Sequence, residues 1–134
     1  MIFLHNVKLM KCQIFELPGI KTDAINFNRV VLVMELSDVA DMDKNDDVFL
    51  LLSCLINGGL KKIIFDMTAV DFIDSYGMGT LIDITKLIRK HKDGDAVIVN
   101  VPDRIHLIFK PIQLQKFMKV FNTIDEALHY FRYI

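Results

Sequence analysis

The chain carries no excess of charge of either sign. Its 16 Lys and Arg are matched by 17 Asp and Glu, a formal net charge of −1 over 134 residues. That removes the electrostatic case for a nucleic-acid or anionic-membrane partner, both of which are held by fields of positive charge. Long apolar runs are also missing: none reaches the roughly 18–20 residues needed to cross a bilayer. The opening residues 1–8 lack a basic stretch, a sustained apolar run and a small-residue cleavage site, so they do not read as a signal peptide. A soluble cytoplasmic protein is the expectation. Cysteine is scarce, with two in all, Cys12 and Cys54. Far apart and in apolar contexts, they are expected as buried thiols of a reducing compartment rather than a disulfide. There is no CxxC and no HExxH, so no motif supports a metal centre. No GxGxxG or Walker loop is present, and Gly77-Met78-Gly79 alone is weak evidence for a nucleotide. Four histidines, His5, His91, His106 and His129, lie in no catalytic spacing, and only His106 sits beside a candidate helical core.

Apolar residues are abundant, at 52%, enough for a core at this length. They fall into an alternating order of elements. Residues 7–17 alternate imperfectly, as an edge strand does, and Pro18-Gly19 marks a turn. The β-branched run Val30 to Leu36 predicts a strand covered on both faces. An acidic connection with Asp38, Asp41, Asp43, Asp46 and Asp47 leads into a helix with Val48, Leu51, Leu52, Leu55 and Ile56 on one face. Asn57-Gly58-Gly59 ends that helix.

Lys62 to Met67 is a second buried strand. A helix is predicted from Gly77 to about His91, with Met78, Leu81, Ile82, Thr85 and Ile88 inward. The basic residues at its end, Lys86, Arg89, Lys90 and Lys92, suit the helix dipole and solvent. Ala96 to Val101 is a third apolar strand. Pro102-Asp103 starts a short helix that Pro111 limits. Met118 to Phe121 is a brief strand, and Thr123 to Glu126 is a capping box for a last helix with Ala127, Leu128 and Phe131 inward. The order β, β, α, β, α, β, α, β, α predicts an α/β sheet with parallel pairs and helical crossovers. Nothing marks a second domain or a repeat.

One segment carries more than core. Phe72-Ile73-Asp74-Ser75-Tyr76-Gly77-Met78-Gly79 places a carboxylate and a hydroxyl side by side at a helix start, after a buried strand. A serine between strand and helix invites comparison with a hydrolase nucleophile. That elbow needs Gly two residues before the serine, where Ile73 stands. No histidine base is assigned, so acyl transfer is not expected. The plainest reading is structural: Ser75 caps the helix, and Asp74 adds favourable charge at its positive end. The alternative is that Ser75 receives a phosphoryl group read by a partner protein.

The stretch from Lys62 to Leu81 resembles the central signature of STAS domains. The nearest branch is the bacterial anti-sigma factor antagonists, whose pattern is Asp-Leu-Ser-x-Val-x-Phe-x-Asp-Ser-x-Gly-Leu-Gly after an apolar strand. Asn100-Val101-Pro102 and Phe121 to Leu128 look like the family's C-terminal half. The likeness runs from about Arg29 to Tyr133 within a single domain, 1–134, with residues 1–28 as an added N-terminal strand region.

The resemblance implies a STAS-like α/β fold, with a mixed β-sheet of four to five strands and about four helices. It implies no enzymatic activity, no cofactor and no metal. Its implied role is to bind an anti-sigma factor of the serine-kinase type and so regulate sigma-factor-dependent transcription. The kinase would inactivate it by phosphorylating Ser75, and a phosphatase would reverse this. The implied partner-binding residues are Asp41, Asp74, Ser75, Tyr76, Gly77, Met78 and Gly79; a homodimer is left open. Asp41 follows from aligning Leu36 to Asp41 with the family's Leu-x-Gly-x-Leu-Asp. Two positions depart from the pattern: Asp38 replaces a glycine, and Tyr76 replaces a small residue. The family also holds modules that are not phosphorylated, among them stressosome-like scaffolds, transporter regulators and small-ligand sensors.

Overall fold

The computed structural model describes residues 10–18, 27–37 and 42–134. Strand β1 (Met10–Glu16) pairs antiparallel with β2 (Val30–Leu36). Helix α1 (Met42–Asn57) leads to β3 (Lys62–Asp66), helix α2 (Ser75–Ile88) to β4 (Asp95–Val99), and helix α3 (Asp103–Ile112) to β5 (Lys119–Phe121). Helix α4 (Ile124–Arg132) follows. The sheet order is β1-β2-β3-β4-β5, and every pair after the first is parallel. The mixed five-stranded sheet with four helices is the architecture the resemblance implied.

The layering follows from the order. Parallel strands added one after another in one direction, each by a right-handed crossover, put every crossover helix on the same face. Helices α1, α2 and α3 share that face, leaving α4 to cover the other. The strands feed both layers by alternation. Leu32, Met34, Ile63, Phe65, Ala96 and Ile98 join the larger core beneath α1–α3. Val31, Val33, Ile64, Val97 and Val99 join the smaller one with Ala127 and Phe131 of α4. The register matches, with Val33 beside Ile64 and Ile64 beside Val97.

Helix ends follow local chemistry. Gly59, at φ 118°, takes the left-handed conformation after α1. Thr123 Oγ1 accepts from the Glu126 N–H at 3.1 Å, half of the expected capping box. The returning bond goes from the Asn122 N–H to Glu126 Oε2, at 3.0 Å, one residue earlier than the ideal pattern.

Several expectations change. Helix α3 runs through Pro111 to Ile112. Pro111 offers no N–H to the carbonyl one turn back, so the last turn is weakened there but not ended, and the helix closes at the left-handed Gln113. In α1 only Val48, Leu52 and Ile56 of the predicted face are buried, while Leu51 and Leu55 are exposed. One row of residues four apart is buried in the core under the helix layer, and the neighbouring row is left exposed. Cys12 and Cys54 are both exposed, because Cys12 lies on the edge strand and Cys54 on the outer side of α1. Ile84 is buried in α2, whereas Ile82 is half-buried at its margin. Among the described residues no helix is long and apolar enough to cross a membrane.

Candidate functional site

The site grows from the carboxyl end of β3. Asp66 is nearly buried, and its Oδ1 accepts from the Thr68 N–H at 3.0 Å and the Thr68 hydroxyl at 2.6 Å. Asn100, just past β4 with φ 55°, adds its side-chain amide at 3.2 Å. Sharing three donors on one carboxylate oxygen closes the turn without leaving a buried charge unsatisfied. Met67, Val70 and Ile73 then drop into the core and draw the loop down. Arg104 of α3 pins it from outside, donating to the Val70 carbonyl at 3.2 Å and to the Asp71 carboxylate at 2.5 Å.

This anchoring decides where α2 begins. Asp74 is extended, at φ −99° and ψ 179°, and its Oδ1 accepts from the Gly77 N–H at 2.8 Å. Asp74, and not Ser75, is therefore the N-cap. The helix starts two residues before the predicted Gly77. Ser75 is its first residue and is exposed. Because Asp74 does the capping, the Ser75 hydroxyl is not committed to the fold, and no bond from it is present among the described residues. The Ser75 and Tyr76 N–H groups have no acceptor among the described residues either, as is normal for a first helical turn.

Tyr76 is 41% exposed and its hydroxyl donates to Asp46 of α1. That bond is the main reason its hydroxyl ionises above the ordinary tyrosine value. A groove of about 300 Å³ lies here: Asp46 and Phe49 of α1 face Ser75, Tyr76, Gly79 and Asp83 of α2. Gly77 and Met78 point the other way and are buried. Of the sequence-derived partner residues, these two pack against the core rather than reach the surface, because positions three and four past the cap turn toward the sheet. Asp41 lies outside the described residues. Asp46, Phe49, Asp83, Asn100 and Arg104 were not read as site residues. In the sequence Asp46 reads as part of the acidic connection before the helix, Phe49 and Asp83 have no reading, and only the packing of α1 beside α2 joins the three.

At the other end of α2 the polar groups are paired. Arg89, read from sequence as part of a solvated basic end, donates through Nε to Asp95 Oδ1 at 2.9 Å and through a terminal nitrogen to the Phe117 carbonyl at 2.7 Å. Asp95 is 5% exposed and also accepts from the Tyr130 hydroxyl at 2.6 Å. Burial and, after it, this hydrogen bond push the Tyr130 hydroxyl well above the ordinary range. No group of three or more His, Cys, Asp or Glu able to hold a metal occurs among the described residues.

A mixed sheet with three helices on one face, and an Asp-Ser helix start at the carboxyl end of its central strand, define a STAS domain. The chain belongs to that family, whose profile matches residues 1–127 and so takes in the N-terminal residues as well. A Thermotoga neapolitana protein, named as the homolog of a candidate anti-sigma factor antagonist, TM1081, is 29% identical over 73 residues, 54% of this chain and 64% of that relative. The chain thus aligns with somewhat less than two thirds of that relative's length. The solved structure of TM1081 superposes with TM-score 0.72 at 20% identity, covering 83% of this chain and 87% of that one. The anti-sigma factor antagonist SpoIIAA, in unphosphorylated form, superposes at 0.66 with 21% identity over 78% of this chain and 90% of its own. Its phosphorylated form, from Bacillus, superposes at 0.58 with 21% identity over 75% and 89%. At these identities the solved structures establish the shared fold.

Proposed function

We propose that this protein is an anti-sigma factor antagonist that docks a serine-kinase-type anti-sigma factor through the face around Ser75. Phosphorylation of Ser75 switches it off, and a phosphatase restores it. The observation that carries the reading is the division of labour at the start of α2. Asp74 caps the helix, so the exposed Ser75 hydroxyl can be esterified without removing a bond the fold needs. The likeness to a protein solved in phosphorylated and unphosphorylated forms supports the same reading.

A phosphoserine adds roughly −1.5 to −2 charges at neutral pH. The helix start, with its free N–H groups and roughly +0.5 of a charge, tolerates that group within the protein. A docked partner meets it differently. New bulk and charge appear at a contact from which water has been expelled, beside Asp74 and the groove carboxylates. Desolvating them costs several kcal/mol in order of magnitude, enough to separate two proteins without refolding either. The protein acts by occupancy and not by chemistry. In this reading residues 1–134 are one domain working in the cytoplasm, and Asp41 joins the face on the strength of the resemblance.

The test combines the chain with its cognate anti-sigma factor and ATP. Intact mass should show one added phosphoryl group on the native chain and none on Ser75→Ala. Ser75→Ala should still bind the anti-sigma factor, while Ser75→Asp should bind about tenfold or more weakly, a loss of at least about 1.4 kcal/mol. Equal binding by both variants would remove the switch and leave an unregulated interaction module.

A further inference from the structure

We infer that the groove between α1 and α2 seats one basic side chain, an arginine or lysine flanked by apolar residues, presented by the partner protein. The inference rests on the proposed function only in taking the face around Ser75 as the docking face.

Three features of the groove converge. Its walls carry two exposed rings: Phe49 is 38% exposed and Tyr76 41%. Both aromatic rings stand open to solvent, an arrangement typical of anchors for a partner. Its charge is of one sign. Asp46 and Asp83 line it, and no lysine or arginine does. Among the described residues the ion pairs join Arg29 to Glu16, Arg89 to Asp95 and Arg104 to Asp71, leaving both groove carboxylates without a cation. A cleft with two aromatic rings and two carboxylates that no cation pairs matches the amphipathic stem and charged head of arginine or lysine.

The third feature is Gly79. It lies inside α2, where glycine is the least favourable residue after proline. Gly94, by contrast, has a packing reason: a Cβ there would run into the Ile88 carbonyl oxygen. A Cβ on Gly79 would meet nothing within 4 Å, and the residue has no left-handed backbone to accommodate. Nothing in the fold needs a glycine there. What its missing side chain does is keep the floor of the groove open to something arriving from outside. A phosphoryl group on Ser75, at the groove's mouth, would catch the incoming cation at the rim. The apolar flanks would then fail to seat.

The experiment uses the whole chain, ¹⁵N-labelled, and a short synthetic helical peptide with one arginine between leucines. Two control peptides carry citrulline or glutamate in place of the arginine. The arginine peptide should give saturable amide shifts confined to Phe49, Gly79, Thr80 and Asp83. The citrulline peptide should bind about tenfold more weakly, as expected for loss of a charged contact, and the glutamate peptide should not bind. Gly79→Leu should abolish the shifts while leaving the melting temperature equal or higher, and Gly79→Ala should weaken them. Asp46→Asn/Asp83→Asn should erase the preference for arginine over citrulline. Absent or scattered shifts, equal response to arginine and citrulline, or self-association of the chain through the groove would each overturn the inference. No kinase takes part, so that failure would leave the Ser75 phosphorylation test standing, and the reverse also holds.

Discussion

The two ends of helix α2 are built from the same kinds of residue and do opposite things. At its C-terminal end a carboxylate, a guanidinium and a phenol are consumed by one another: Asp95 takes Arg89 and Tyr130, and Arg89 takes the Phe117 carbonyl. At its N-terminal end a carboxylate, a phenol and a hydroxyl meet around Asp46, Tyr76 and Ser75, yet they remain at the surface, and only the Tyr76–Asp46 bond joins any of the three. Burial accounts for the difference. Asp95 is almost sealed from water, so each missing partner would leave a costly unsatisfied charge. Asp46 and Ser75 face solvent, which satisfies them cheaply and lets a partner replace it. Groups closed on themselves hold the domain together, and groups left open are available for recognition.

The largest effect should come from the closed end. Asp95→Ala leaves Arg89 and Tyr130 without their shared acceptor and should cost about 3 kcal/mol of stability, read from urea unfolding, with partner binding by the remaining folded protein unchanged. A loss below about 1 kcal/mol would show that the network is ornamental and break the contrast. Tyr130→Phe should cost less, about 1–2 kcal/mol, as one buried acceptor loses its donor.

The same residue predicts a pH dependence. The folded state raises the Tyr130 hydroxyl above its ordinary value of 10.0. Above that pH the unfolded chain releases the proton first, so the unfolded state binds fewer protons and stability falls as pH rises. Below it the contribution is fully present. Unfolding midpoints measured from neutral pH to strongly alkaline pH should therefore decline, and the decline should be shallower in Tyr130→Phe.

At the open end Asp74→Ala should cost about 1 kcal/mol, the usual worth of an N-cap, and should also disturb partner docking. That would mark Asp74 as the member of the Asp-Ser pair with a structural duty. The smallest effect belongs to Tyr76→Phe. Its hydroxyl bond to Asp46 is at the surface, so thermal unfolding should not move measurably, and any change should appear in partner binding alone. A clear drop in melting temperature would place Tyr76 with the closed groups instead.

Much of this was legible in the chain itself. The runs Val30 to Leu36 and Ile63 to Phe65 had to be buried strands, and Thr123 with Glu126 had to start a helix. The Asp-Ser pair before two glycines marked the candidate site. The division of roles within that pair was not legible. Aspartate and serine are both good caps, and one residue separates them. The choice falls on Asp74 because the preceding loop is held by Asn100 and Arg104, which lie 26 and 30 residues further along the chain. Arg89 looked like a solvated charge because Tyr130, its indirect partner through Asp95, is distant in sequence. Cys12 and Cys54 looked buried because apolar neighbours suggest an interior, yet an edge strand and an outer helix flank expose them.

The amino-acid sequence alone determined the elements, their order and the Asp-Ser pair between β3 and α2, since periodicity and capping preference act over a few residues. Tertiary structure alone decided which oxygen caps, which carboxylates are closed and which stay open. It also brought Asp46 and Phe49 to Gly79, because burial and long-range contacts exist only once the sheet has placed α1 beside α2.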